Sequence, residues 1–357
     1  MKALVLAGGS GTRLRPITYT SAKQLVPLAN KPILFYGLEA IADSGIVEVG
    51  IVVGDTEAEI RAAVGDGSAF GLSVTYLRQD QPLGLAHAVL IAREFLGTDP
   101  FVMYLGDNLV IGGIADMVHR FQAAKRDAMV LLKAVEHPEQ FGVAELDADG
   151  SVVRLVEKPA DPPSNLALVG VYLFHARIHD AVRSIQPSAR GELEITDAIQ
   201  WLVDNGGTVE AHLLEQPWVD TGKLTDLLDA NAEVLSRIEP SILGDVDAAT
   251  AASGSIIIGE GAKVVGGRLV GPITIANGAL IVDSVIGPNV AVGPGAVIEH
   301  SSVAHSVVLA RAHISEICLA DSLVGRDVVL VGDGNATYRL HIGDHGQMRV
   351  GPDESTC

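Results

Sequence analysis

A chain of 357 residues is long for one domain and comfortable for two, and its 48% hydrophobic content with mean hydropathy +0.33 can fill substantial cores, which excludes a disordered chain. The formal net charge is -19 with no Lys/Arg cluster, which argues against nucleic acid or an anionic membrane as partner and requires anionic substrates to be drawn in by local charges. Cys318 and Cys357 form neither a metal-ligand pattern nor a disulfide framework, the N-terminus lacks the order of a signal peptide, and no apolar run approaches the roughly 18 to 20 residues of a membrane span, so a cytoplasmic location is expected. An apolar run, Ala3 to Ala7, reads as a buried parallel strand that empties into a glycine-rich turn, Gly8, Gly9 and Gly11, followed by Thr12 and Arg13. Glycines there let successive backbone N–H groups close around phosphate oxygens with no Cβ in the way. Arg13 and Lys23 add two fixed positive charges, suited to a polyphosphate held while a bond to phosphorus breaks. No Gly-Lys-Ser/Thr follows, so this is not a Walker loop, and GGSG has the wrong spacing for the dinucleotide fingerprint.

Farther along, apolar strands such as Gly50 to Val53, Phe101 to Leu105 and Met129 to Val135 alternate with helix-like stretches such as Ile33 to Asp43 and Ile114 to Lys125. That alternation predicts a parallel or mixed sheet covered by helices on both faces. After Pro240 the pattern changes. Ile258, Val264, Leu269, Ile275, Ile281, Ile286, Val292 and Ile298 recur every five or six residues, with Gly, Pro and Asn between them. IGEGAK, IGPNVA and VGPGAV are hexapeptide units of a β-helix. His300, His305 and His313 lie among these units and have no partner group recognisable from the sequence, so no chemistry is assigned to them.

The order GTRLRP, then Lys23, Gln24, Pro27, Lys31 and Pro32, resembles the sugar-1-phosphate nucleotidylyltransferases. Within that superfamily Lys23-Gln24 in SAKQLVP is similar to the glucose-1-phosphate thymidylyltransferases, here of the long type. The resemblance implies an α/β fold: a Rossmann-like nucleotidyltransferase domain with a mixed, mostly parallel sheet over residues 1–240, then a left-handed parallel β-helix with a C-terminal tail over 241–357. In RQDQPLGLAHA it places Gln79 on the thymine edge and Gly84 at a backbone contact, with the deoxyribose near Gln24 and Asp107. In YLGDN, Asp107 matches a metal residue and Asn108 a substrate contact, and Asp220 in PWVDTGK matches the other metal residue, so the implied cofactor is Mg2+. On the sugar side Gly142 matches a backbone contact, Glu157 a carboxylate accepting from hydroxyls and Lys158 the grip on the sugar phosphate; Leu168 lines the pocket where the family often has valine. Arg190 and Glu194 in RGELEITDAI could brace that side.

The motifs contain no covalent nucleophile, and none is needed. The phosphate of a sugar 1-phosphate is already ionised and can attack the α-phosphorus of the nucleotide, with Arg13, Lys23, Lys158 and magnesium aligning the two anions. The expected reaction joins dTTP and glucose 1-phosphate into dTDP-glucose and pyrophosphate, in a homo-oligomer. Alternatives are a UTP-preferring or promiscuous enzyme of the same fold, a non-catalytic sugar-nucleotide-binding regulatory subunit, and, more weakly, a bifunctional acyltransferase.

Overall fold

A computed structural model of the chain describes residues 1–9, 11–220 and 222–351, Asp220 through its backbone alone. The chain packs as two compact units, residues 1–10 with 33–220 and residues 11–32 with 221–357. The division is therefore not one cut along the chain. The segment that follows the glycine-rich turn belongs with the C-terminal strands.

The first unit is built on a nine-stranded mixed sheet. Its strands are β1 (Lys2–Leu6), β2 (Glu48–Val53), β3 (Ser73–Arg78), β4 (Phe101–Leu105), β5 (Ala128–Ala134), β6 (Gly142–Leu146), β7 (Val152–Glu157), β8 (Leu166–Phe174) and β9 (Val209–Leu213). They lie in the order β7-β6-β8-β4-β1-β2-β3, with β5 also on β8 and β9 on β5. Strand β1 is parallel to β2 and β4, and β2 to β3, whereas β8 is antiparallel to β4, β5 and β6. Leu4 pairs with Met103 and Val5 with Tyr104, so strand alternation sends the two pairs to opposite faces. On the first face Ala86, Val89, Ala181, Ile195 and Ile199 complete a buried cluster. On the second, the helix Ile33–Asp43 lays Gly37 on Tyr104, where a Cβ would stand 2.8 Å from the ring. Helices thus cover both faces, and each fully buried aliphatic side chain contributes about 1.5–3 kcal/mol.

Strand β1 leads to β2 on one side and has β4 on the other, which opens a crevice at the carboxyl ends of β1 and β4. Ala7 N–H donates to the Val52 carbonyl at 2.8 Å and Gly106 N–H to the Leu6 carbonyl at 2.9 Å. Ala7-Gly8 and Gly106-Asp107 therefore emerge at the same edge. A separate antiparallel pair joins Asn108–Val110 to Trp218–Asp220.

The second unit holds residues 11–32, the helix Leu224–Leu235 and three sheets of seven, seven and six short strands, every pairing parallel. Ile256 lies beside Ile273, then Val290, then Ser306, one coil apart each time, the arrangement of the expected β-helix. All eight periodic apolar residues, Ile258 to Ile298, are at most 1% exposed. Buried serines stitch successive coils: the hydroxyls of Ser284, Ser301 and Ser322 donate to carbonyls two residues back at 2.7, 2.7 and 2.8 Å. The same oxygens accept the N–H groups of Ser301, Ile317 and Leu340, so buried polar backbone on this side is satisfied. His300 and His305 occupy corners with φ of 48° and 43°, and His305 Nδ1 lies 2.9 Å from Asp321 Oδ1. His313 lies on a strand, 3.7 Å from Glu299. Among the described residues no helix is long and apolar enough to cross a membrane.

Candidate active site

At the carboxyl edge of β1 to β3 the first unit gathers Gly8, Gln79 and Gly84. A Cβ on Gly8 would stand 3.4 Å from Gly54 N and 3.9 Å from Gln79 Oε1. Gln79 Nε2 donates to the Gly84 carbonyl at 3.3 Å and lies 2.9 Å from His87 Nδ1. The carbonyl can only accept, so it fixes the amide with Nε2 toward Gly84 and makes His87 Nδ1 the acceptor of the second amide proton. The consequence is chemical: Gln79 presents its carbonyl oxygen to a ligand and keeps its donors. Gly84, with φ 103°, packs against the Leu193 backbone, and Leu193 N–H donates to the Leu83 carbonyl at 2.8 Å. A side chain there would meet strain and a collision together. His87 carries no mark in the sequence beyond its place on the first turn of the helix Leu85–Ile91, directly after the loop that carries Gly84. That place is the signal by which it could have been found.

Asp107 is half-buried just beyond β4, and the Asn108–Val110 ladder sets Asn108 opposite Asp220. The backbones of the two expected metal residues are thus neighbours across one antiparallel pair, while the Asp220 side chain lies outside the described atoms. Asn108 is buried and its amide donates to the Val169 carbonyl, so its side chain braces the turn that presents Asp107. Among the described residues no group of three or more His, Cys, Asp or Glu could hold a metal. The carboxylate of Asp107 offers hard oxygen donors of the kind that suits magnesium.

The six expected sugar-side residues come together. A Cβ on Gly142 would stand 2.7 Å from Thr196 Cγ2, 2.8 Å from Leu168 Cδ1 and 3.1 Å from Glu157 Oε2. Glu157 Oε1 lies 3.7 Å from Lys158 Nζ and 3.2 Å from Arg190 Nη2, and Oε2 accepts from the Thr196 hydroxyl at 3.3 Å. Arg190 reaches both oxygens of Glu194, at 2.8 and 2.9 Å, and Ser188 Oγ donates to Glu194 at 2.7 Å. Arg190 is a brace for two carboxylates. Burial holds the Glu157 carboxyl above the ordinary glutamate range; Lys158 opposes the shift and Glu194 reinforces it. Thr196 and Ser188 were not legible, because neither sits in a spacing that marks it.

In the second unit the remaining residues form a cluster of their own. Gly11, with φ 62°, opens the short turn Thr12–Leu14, accepts the Thr18 hydroxyl at 2.6 Å, and has Lys23 Cβ 2.9 Å from where its own Cβ would stand. Thr12 and Arg13 are exposed, and among the described residues Arg13 has no ion-pair partner. Lys23 and Gln24 are buried, and among the described residues Gln24 Oε1 has no hydrogen-bond partner. An orphaned buried acceptor is costly to leave unpaired, and a ligand hydroxyl would relieve it. Gly9 follows Gly8 in the first unit, exposed and outside any strand or helix.

Residues 2–237 match the Nucleotidyl transferase family. Relatives named glucose-1-phosphate thymidylyltransferase from Streptomyces antibioticus and Streptomyces griseus are each 54% identical, over 98% of this chain and 99% of theirs. A solved UDP-glucose pyrophosphorylase in complex with UDP-glucose superposes with a TM-score of 0.60 at 27% identity, covering 66% of this chain and 99% of that one. With the glycine-rich turn, the paired carboxylate positions and the sugar-side cluster in place, the chain belongs to the nucleotidyl transferase family, in its glucose-1-phosphate thymidylyltransferase branch.

Proposed function

We propose that the chain condenses dTTP with α-D-glucose 1-phosphate to give dTDP-glucose and pyrophosphate. The observation that carries the base assignment is Gln79, whose donors are taken by Gly84 and His87. A bare carbonyl oxygen accepts the N3–H of thymine or uracil and repels the N3 lone pair of cytosine. Thymine over uracil is supported by the Streptomyces relatives. Arg13 and Lys23 hold the triphosphate, and Gln24 Oε1 accepts from the deoxyribose. Glu157 accepts from sugar hydroxyls, Leu168 and Gly142 shape that end, and Lys158 holds the sugar phosphate. Residues 1–240 are assigned to catalysis and 241–357 to the β-helix domain.

A phosphate oxygen of glucose 1-phosphate forms the new bond to the α-phosphorus as the bond to the bridging oxygen breaks, and pyrophosphate leaves with that electron pair. One in-line displacement inverts configuration at phosphorus. Arg13, Lys23 and Lys158 lower the repulsion between the two anions and hold the charge that develops on the leaving group. Asp107 and Asp220 would hold magnesium, which when bound supplies electrostatic neutralisation of phosphate oxygens.

The test is pyrophosphate release by the full chain across four nucleotides and several hexose 1-phosphates, with and without magnesium. The highest kcat/KM is expected for dTTP with glucose 1-phosphate, and CTP should be turned over at least about a hundredfold less efficiently. Equal or better use of UTP would replace this reading with that of a uridylyl-preferring enzyme. A second expectation concerns pH. Because burial raises the Glu157 carboxyl, KM for glucose 1-phosphate should begin to climb on acidification at a pH above the ordinary glutamate range. Glu157→Gln should raise that KM by about tenfold or more at neutral pH and remove the inflection. Retention of the inflection in the variant would assign it to the substrate phosphate instead.

A further inference from the structure

We infer that Thr20, Ser21, Arg326 and Asp344 form a polar latch by which the last coils of the β-helix position Lys23 and Gln24. The inference rests on the nucleotide roles proposed above for those two residues. Every contact in it lies inside the second unit. Thr20 Oγ1 donates to Asp344 Oδ2 at 2.7 Å, Asp344 Oδ1 accepts Arg326 N–H at 2.7 Å, and Arg326 Nη1 donates to Ser21 Oγ at 2.7 Å. Arg326 Nη1 also lies 3.9 Å from Asp344 Oδ2. The Asp344 side chain is only 4% exposed, so its charge is held in place by a defined set of donors. Gly343, next to it, packs so closely on Pro16 that a Cβ would stand 2.9 Å from the Pro16 carbonyl oxygen. Segment 16–21 is therefore gripped from the C-terminal end of the solenoid on two sides.

What this grip holds is informative. Ser21 is separated from Lys23 by one residue, and Lys23 N–H and Leu25 N–H belong to the short turn Lys23–Leu25, in which Leu25 N–H donates to the Ala22 carbonyl at 3.0 Å. Thr18, two residues before Thr20, ties the same stretch to the Gly11 carbonyl. At the other end Asn30 Nδ2 donates to the Val292 carbonyl at 3.0 Å, and Ala29 N–H to Asn231 Oδ1 at 2.9 Å. The signature segment is anchored before and after Lys23 and Gln24, with the charged anchor nearer to them. The four latch residues act through others and are positioning residues.

The experiment uses the full chain. Thr20→Val removes the hydroxyl and keeps the shape, Asp344→Asn removes the charge, and Thr20→Ser restores the donor. KM for dTTP is expected to rise on the order of tenfold in the first two variants. KM for glucose 1-phosphate should stay within twofold, and Thr20→Ser should return the dTTP value to that of the wild type. The double variant should be no worse than the poorer single one, because both remove the same contact. A purely architectural role would lower kcat through loss of folded enzyme and leave both KM values unchanged, and that result overturns the latch. Direct titration of dTTP into the wild type separates the two ideas: no dTTP binding there sinks the functional reading, whereas normal wild-type binding with unaltered binding in Thr20→Val sinks the latch alone.

Discussion

Asp107→Asn is expected to lower kcat by about three orders of magnitude while leaving the fold intact. The residue stands just past β4, at the point where the parallel strands on either side of β1 diverge, and Asn108 beside it is tied down by its bond to Val169. Among the described residues no group of three or more His, Cys, Asp or Glu stands ready to hold a cation without it. The amide is isosteric and neutral, so the loss should fall on turnover and on the concentration of magnesium needed for half-activation, which should rise. Pyrophosphate release measured against magnesium, with a thermal melt as the folding control, checks both. A variant within threefold of the wild-type rate would remove Asp107 from the mechanism.

Arg13→Gln is expected to cost about a hundred- to a thousandfold in kcat with little change in KM for glucose 1-phosphate. Arg13 is exposed on a turn of three residues and, among the described residues, has no carboxylate to satisfy. Its removal leaves no buried charge behind, so the melting temperature should not move. Its planar fork suits two oxygens of a phosphate group, a geometry an ammonium cannot reproduce. Arg13→Lys should therefore recover only part of the rate. Single-turnover measurements that place the whole loss in dTTP binding would assign Arg13 to ground-state affinity instead of charge developing on pyrophosphate.

The sequence was most readable where a residue's role depends on near neighbours. The helix Ile33–Asp43 matches its expected span to the residue, and the eight apolar positions of the β-helix are all inside, because a solenoid repeats one short rule coil after coil. Strand and helix ends drifted by one or two residues, as with Ala128–Ala134 against an expected 129–135 and Ala115–Ala123 against 114–125. Long-range associations were not readable. Thr196 meets Glu157 across 39 positions and no periodicity records it. Nor does any local pattern reveal that residues 11–32 cluster in one unit with the solenoid strands. The family resemblance supplied the names of Gln79 and Glu157, whereas the states of those groups, an amide turned by His87 and a carboxyl raised by burial, came from packing.

The Thr20 to Asp344 bond joins residues 324 positions apart. At a synthesis rate of about 5–20 residues per second, the first partner leaves the ribosome tens of seconds before the second exists. A nascent chain halted at residue 300 carries every group proposed to touch nucleotide or sugar, yet nothing restrains the stretch around Thr20 from that side. Premature stop codons in the final coils should accordingly leave a chain that keeps its proposed nucleotide and sugar contacts but binds dTTP more weakly, so the residues made last adjust the segment made first.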